Sequence, residues 1–302
     1  MAKKSFKDKL GEGLLFFDGA MGTQLMAHGI IAEKGNDWLN IEQPEVILDI
    51  HNAYLKAGCD AVLANTFGAN EISLARHGLA DEVEKLNKAG VKIARQAANA
   101  AGGDKYVLGD ISSCGEFLQP LGTLAPARLK EVFARQAKAL YDAGVDGFAI
   151  ETFMAVDEAK VAAEAVLSVC DLPVFVSLAF DPAGNDFRTM MGVNVETVVT
   201  EFSSLGIRGL GFNCGTLNME QYLHLAEKFA KLLKGTKLAL LAEPNAGKPE
   251  LVDGKAVYRL SPQDFGVYMD KIYKAGATIL GGCCGTSPAH IKAMVKKLKI
   301  EN

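Results

Sequence analysis

Ala143-Gly144-Val145-Asp146-Gly147-Phe148-Ala149-Ile150-Glu151-Thr152-Phe153 reads as a helix end, a strand and a polar strand terminus in one short run. Glycine takes the left-handed conformation cheaply, so Gly144 closes the helix before it. The apolar residues after it suit a strand buried on both faces, as parallel strands are. The same plan recurs at Ala57-Gly58-Cys59-Asp60, Leu205-Gly206-Ile207-Arg208 and Ala275-Gly276-Ala277-Thr278. Seven residues beyond each glycine stand Asn65, Glu151, Asn213 and Cys283, and eight beyond stand Thr66, Thr152, Cys214 and Cys284. Four units in one register predict polar side chains at one height on four strands.

Outward from that repeat, eight β-rich runs alternate with helical patterns. The runs are Leu14–Ala20, Ala61–Phe67, Tyr106–Ile111, Gly147–Phe153, Pro173–Phe180, Gly209–Cys214, Leu238–Asn245 and Thr278–Cys283. Between and after them, apolar residues keep helical spacing: Tyr222, Leu225, Ala226, Phe229 and Leu233; Phe265, Tyr268, Met269 and Ile272; Ile291, Met294, Val295 and Leu298. Strand and helix alternating eight times predict a (β/α)8 TIM barrel as a single domain over 1–302, with an open doubly wound sheet as the alternative. The repeat glycines then belong to strands 2, 4, 6 and 8. Their polar ends lie near the C-terminal mouth, where barrel enzymes place their chemistry.

Composition narrows the class. The 302 residues are 49% hydrophobic and 23% charged, with a formal net charge of −4 and no long basic run. That balance suits a globular enzyme and gives no electrostatic footprint for nucleic acid. Leu14–Phe17 is too short for a signal-peptide core, and no apolar run reaches the roughly 18 residues of a membrane helix. The expectation is a cytoplasmic protein with no membrane partner. Its six cysteines are then thiols or metal ligands rather than a disulfide framework.

Three cysteines cluster at the predicted mouth, in Gly211-Phe212-Asn213-Cys214-Gly215-Thr216 and Gly281-Gly282-Cys283-Cys284-Gly285-Thr286. Three soft thiolates with no fourth protein sulfur suit a catalytic Zn²⁺ that keeps a position for substrate. Neighbouring side chains on a regular strand point to opposite faces, so Cys283 and Cys284 can share a metal only if the flanking glycines let the chain leave strand geometry. Other readings of these residues are a Cys283–Cys284 disulfide, a phosphate site in the glycine-rich ends, and unrelated core cysteines.

The chain resembles the homocysteine S-methyltransferase family from about Leu14 to Leu298. The matching stretches are Asp18-Gly19-Ala20-Met21-Gly22-Thr23, Asn65-Thr66-Phe67-Gly68-Ala69, Gly109-Asp110-Ile111, Glu151-Thr152-Phe153, Asn213-Cys214-Gly215, Pro244-Asn245-Ala246-Gly247 and Gly281 to Thr286. Asn65 to Ala69 and Gly115-Glu116-Phe117-Leu118-Gln119-Pro120-Leu121-Gly122 look most like the homocysteine-binding module of cobalamin-dependent methionine synthases. The resemblance implies Zn²⁺ on Cys214, Cys283 and Cys284, which are then metal ligands and catalytic residues. It implies homocysteine bound as a thiolate and methylated to methionine. Methyl would come from methylcobalamin on a separate corrinoid protein or on the remaining domains of a methionine synthase. S-methylmethionine is the alternative donor, and a non-catalytic zinc- or thiol-binding module the alternative class.

The resemblance also assigns the substrate contacts. Glu151 pairs with the ammonium group; Asp18 does the same or orients its loop. Backbone N–H groups from Gly19 to Thr23 hold the carboxylate, and Asn245 offers an amide oxygen to zinc while homocysteine is absent. Ser112-Ser113-Cys114-Gly115 departs from the Gly-Pro-Thr-Gly-like turn of the methionine synthases, so that loop's role is open. His290 reads as a surface residue of the last helix.

Overall fold

The computed structural model describes residues 4–253 and 255–301. Eight parallel strands line up as β1 (Leu15–Phe16), β2 (Ala61–Leu63), β3 (Tyr106–Ile111), β4 (Gly147–Phe153), β5 (Val174–Leu178), β6 (Gly209–Asn213), β7 (Ala239–Glu243) and β8 (Ala277–Leu280). Their order in the sheet is β1-β8-β7-β6-β5-β4-β3-β2. Eight helices cover the outside: α1 (Pro44–Ala57), α2 (Val83–Ala101), α3 (Pro126–Asp142), α4 (Val156–Val169), α5 (Val195–Phe202), α6 (Met219–Leu233), α7 (Pro262–Lys274) and α8 (Pro288–Glu301). This is a (β/α)8 barrel.

The local causes are those of the repeat. Gly58, Gly144, Gly206 and Gly276 all have positive φ, from 82° to 123°. Each turns the chain from helix to strand without a Cβ clash. Tyr222, Leu225, Ala226, Phe229 and Leu233 of α6 are buried, as are Ile291, Met294, Val295 and Leu298 of α8. Tyr268 is only partly buried.

β1 and β2 share no regular ladder; one backbone bond and two carboxylate side chains complete the ring between them. Asp60 donates its N–H to Phe16 O at 2.7 Å, and its carboxylate takes the Phe16 N–H at 3.0 Å. Asp18 Oδ2 accepts the Leu63 N–H at 3.2 Å. Several strands stop short of their predicted ends because the chain leaves strand geometry at the mouth. On β2 the Thr66 N–H already turns back to Ala64 O, and beyond β8 the Thr286 N–H turns back to Cys283 O.

Inside the barrel, the lower layers are apolar. Leu15, Phe17, Tyr106, Leu108, Phe175, Leu241 and Ile279 pack with Phe6, from the N-terminal helix Phe6–Leu10. Phe6 meets Tyr106 at 4.8 Å and Phe175 at 5.9 Å between ring centroids. Two short antiparallel hairpins rise beyond the mouth, Asp181–Ala183 with Asp186–Arg188 and Glu250–Val252 with Lys255–Val257. Among the described residues no helix is long and apolar enough to cross a membrane.

Candidate metal centre and substrate pocket

Cys214 follows β6, and Cys283 and Cys284 lie just beyond β8. At Cys214 the chain turns through φ 54°, a conformation that residues other than glycine seldom adopt. β8 ends at Leu280, and the glycines that follow free the vicinal cysteines from the up-and-down alternation of a strand. Both therefore face Cys214. Its Sγ is 3.9 Å from Cys284 Sγ, which is 4.0 Å from Cys283 Sγ. All three sulfurs lie within 4.8 Å of one another.

The thiols are not equivalent. Hydrogen bonds from Cys214, Cys283 and Tyr258 hold Cys284 down at about 3. Cys214 receives a hydrogen bond from Cys283, but its own donation to Cys284 and its burial push it up to about 12. Cys283, which donates to Cys214 and Cys284, is held well above the usual thiol range. The set fits Zn²⁺ chemically: three soft donors and a place for a fourth ligand.

Asn245 supports that fit. Its side-chain NH₂ donates to Gly215 O at 2.9 Å, next to Cys214, while its Oδ1 is buried with no hydrogen-bond partner. A buried amide oxygen without a partner costs roughly 1–3 kcal/mol, a cost that a metal contact would remove.

Beside the thiols opens a cavity of about 350 Å³ lined by Asp18, Asp37, Asp110, Glu151, Glu243 and the three cysteines, with no Lys, Arg or His in its wall. Burial, with neighbouring negative charge, pushes Asp18, Asp110 and Glu243 well above the carboxylate range. Burial, and then the charge on Cys284, raises Glu151 to about 7, and burial raises Asp37 to about 6. Such a wall favours a cationic group and disfavours a second anion near the carboxylates.

The predicted residues gather here, some with further duties. Asp18 lines the cavity but also spends one oxygen on the β1–β2 seam. Gly19 lies so close to Thr286 and Tyr54 that a Cβ there would sit 2.7 Å from Thr286 Oγ1. The Ala20 N–H donates to Thr286 Oγ1, which removes it from the amides expected to meet a carboxylate. Thr23 lines the cavity, and its Oγ1 accepts the Gly285 N–H at 3.3 Å. Asn245 is fully buried and does not line the cavity; its amide is anchored on Gly215 O.

Asn213 was not singled out as a site residue, yet it joins the two halves. Its Nδ2 contacts Glu151 Oε2 at 3.1 Å, Thr152 Oγ1 at 2.6 Å and Cys283 Sγ at 3.6 Å. Its Oδ1 accepts the Thr152 N–H at 2.9 Å and the Ser177 hydroxyl at 2.9 Å. Thr152 has φ 62°, a costly conformation for a β-branched residue, and Asn213 clamps it. Asp110 and Glu243 were also missed. Period-two reading exposes them: Tyr106, Leu108, Asp110 on β3 and Ala239, Leu241, Glu243 on β7 each run apolar, apolar, carboxylate up the inside.

Two expectations about neighbouring residues change. His290 is buried, not on the surface: its Nδ1 meets Ser287 Oγ at 2.8 Å and its Nε2 lies 3.0 Å from Leu260 O. In the divergent loop, Glu158 takes the Ser113 hydroxyl and the Cys114 N–H at 2.8 Å each, which fastens the loop to α4. Cys114 is buried there, away from the cavity wall.

Comparison with known proteins follows the same lines. The methionine synthase of Mycobacterium tuberculosis is 32% identical over 300 residues, which take in 94% of this chain and 24% of that protein. The methionine synthase of Mycobacterium leprae is 30% identical, with the same coverage. The chain therefore spans about a quarter of the length of these curated relatives. The metallated form of the homocysteine methyltransferase MmuM from Escherichia coli shares the fold, with a TM-score of 0.78 at 24% identity over 96% of this chain and 99% of that one. A family model described as homocysteine S-methyltransferase matches residues 15–298, nearly the whole barrel, and the chain belongs to that family.

Proposed function

We propose that this barrel methylates the sulfur of homocysteine to give methionine, with Cys214, Cys283 and Cys284 as the ligands of a Zn²⁺ ion. The observation that carries the reading is the convergence of three thiols beside a cavity whose charged side chains are all carboxylates. Zn²⁺ supplies the positive charge that keeps a substrate thiol deprotonated near neutral pH, where a free thiol is only a few per cent ionised.

The chain's own residues do the rest. Glu151, Asp18, Asp110 and Glu243 receive the ammonium end of the amino acid, and protons held on them depart as that cation arrives. Asn213 keeps the Glu151 carboxylate and Cys283 in one frame. Backbone N–H groups from Gly19 to Thr23, apart from that of Ala20, take the carboxylate end in this reading, as the family resemblance implies. The substrate sulfur lone pair then forms the new S–CH₃ bond, and the electron pair of the broken donor–methyl bond leaves with the donor.

The donor in this reading is methylcobalamin carried by a separate corrinoid protein or domain, as the similarity to methionine synthases suggests. A second cavity of about 730 Å³, walled partly by Phe117, Leu121, Met154, Met190 and Met191, shares Thr152 with the first.

Zinc-edge X-ray absorption before and after addition of homocysteine tests the metal assignment. The expected change is from three sulfur neighbours and one light atom to four sulfurs. Methionine yield with each donor tests the reaction. A metal-free protein that makes no methionine from either donor leaves a thiol-binding module instead.

A further inference from the structure

Glu151, Asn213 and Cys283 each stand seven residues beyond a repeat glycine, on or just past β4, β6 and β8. Alternate strands of a barrel fill one layer together. β6 lies two places from β4 on one side and two places from β8 on the other, so Asn213 is the middle member of that layer.

The Asn213 side chain is fully buried, and its amide has one orientation only. The Thr152 N–H and the Ser177 hydroxyl each meet Oδ1 at 2.9 Å. A backbone N–H can only donate, so that end of the amide is the oxygen. Nδ2 then carries two hydrogens among three acceptors: Thr152 Oγ1 at 2.6 Å, Glu151 Oε2 at 3.1 Å and Cys283 Sγ at 3.6 Å. The shortest contact takes one hydrogen. Glu151 and Cys283 share the other, and the sulfur holds the longer end of it.

That competition links the two halves of the site. A cation on Glu151 neutralises the carboxylate and weakens its hold on the shared hydrogen, which then turns towards the sulfur. We propose that Asn213 is a positioning residue that couples the two ends of the substrate: an ammonium group arriving at Glu151 frees an Asn213 N–H for the Cys283 sulfur. Hydrogen bonds to ligand atoms tune both the affinity and the electronics of a bound ion. The coupling is reciprocal, so an ion on the cysteines favours the ammonium group by the same factor. The inference rests on the zinc and ammonium readings above.

The probe is 2-aminobutyrate, which is homocysteine without its sulfur and brings no thiol to the metal. Co²⁺-loaded protein is titrated with it, and the thiolate-to-cobalt charge-transfer band is followed together with the heat of binding. In the wild type the band is expected to move to shorter wavelength as the site fills, because a stronger hydrogen bond lowers the energy of the sulfur lone pair. Asn213→Asp keeps an oxygen for Thr152 and Ser177 and removes both N–H groups. There 2-aminobutyrate should still bind and the band should stay in place. Asn213→Ala is the second variant, so that a carboxyl proton in Asn213→Asp cannot imitate the amide; if it unfolds by far-UV circular dichroism, Asn213→Asp decides. A wild-type band that does not move with the site filled would overturn the proposal. So would a band that moves equally in the variants, which is what the through-space field of the ammonium group alone would give. Two other outcomes defeat the readings beneath it. Wild-type protein that takes up no Co²⁺ on its cysteines defeats the zinc reading, and 2-aminobutyrate affinity unchanged in Glu151→Gln, where a fall of roughly tenfold or more is expected, defeats the ammonium reading.

Discussion

The floor and the mouth of this barrel are built from the same eight strands but obey opposite rules. At the floor, Phe6, Tyr106, Phe175 and Phe17 fill the interior in edge-on and tilted ring contacts, and nothing polar interrupts them. At the mouth, a few residues further up, four buried carboxylates face one another, Asn245 and Asp110 each leave an oxygen without a partner, and Thr152 and Cys214 hold strained backbone. The floor stabilises the fold; the mouth costs stability and is kept for its chemistry. Strain and unpaired polar groups at one end are tolerated because the other end packs so completely.

Substitutions at the two ends should therefore separate. Cys214→Ala has the largest expected effect: metal content falls below one ion per chain and methionine formation is abolished, while the melting curve of the metal-free protein is unchanged. Metal analysis and activity on one preparation check both halves. Phe6→Ala, at the floor, is expected to cost about 3–5 kcal/mol in urea unfolding, with metal content of the folded protein intact. If Phe6→Ala changed metal content as much as stability, the two ends would not be independent.

Within the mouth, Glu151→Ala should weaken homocysteine binding roughly 10- to 100-fold, the scale of a lost hydrogen bond to a charged group, and leave zinc stoichiometry unchanged. Loss of zinc in that variant would count against an ammonium-binding role. The smallest effect is a gain. Asp110→Asn should raise stability at pH 7, because it replaces a buried ionisable carboxyl, set among other carboxylates, with a neutral amide of the same shape. The sign follows from Asp110 itself, whose folded-state pKa lies well above the ordinary carboxyl value of 3.8, from burial first and neighbouring carboxylates second. The unfolded chain ionises first, so the wild type loses stability as pH rises past that value. The advantage of the variant should vanish below about pH 4. Urea midpoints of both proteins across that range check it.

The repeat of helix-capping glycines and apolar runs made the barrel legible, because both are local: a left-handed cap needs glycine, and a strand buried on two faces needs apolar residues throughout. The cysteines were legible because three of them fell at matching distances from those caps. Asp110 and Glu243 were present in the period-two pattern of β3 and β7 but were hidden by the near-continuous apolar character of the strands. His290 misled because the helix pattern around it does not reveal that Leu260 O waits beside its ring.

The sequence by itself determined the architecture, the membership of one family and the grouping of Cys214, Cys283 and Cys284, since each depends on spacing along the chain. Only the tertiary structure decided that Asn213 bridges Glu151 and Cys283 and that Asp18 and Asp60 sew β1 to β2. Those contacts join residues tens of positions apart. Their hydrogen bonds exist only once the ring has closed and brought separate strand ends within about 3 Å of one another.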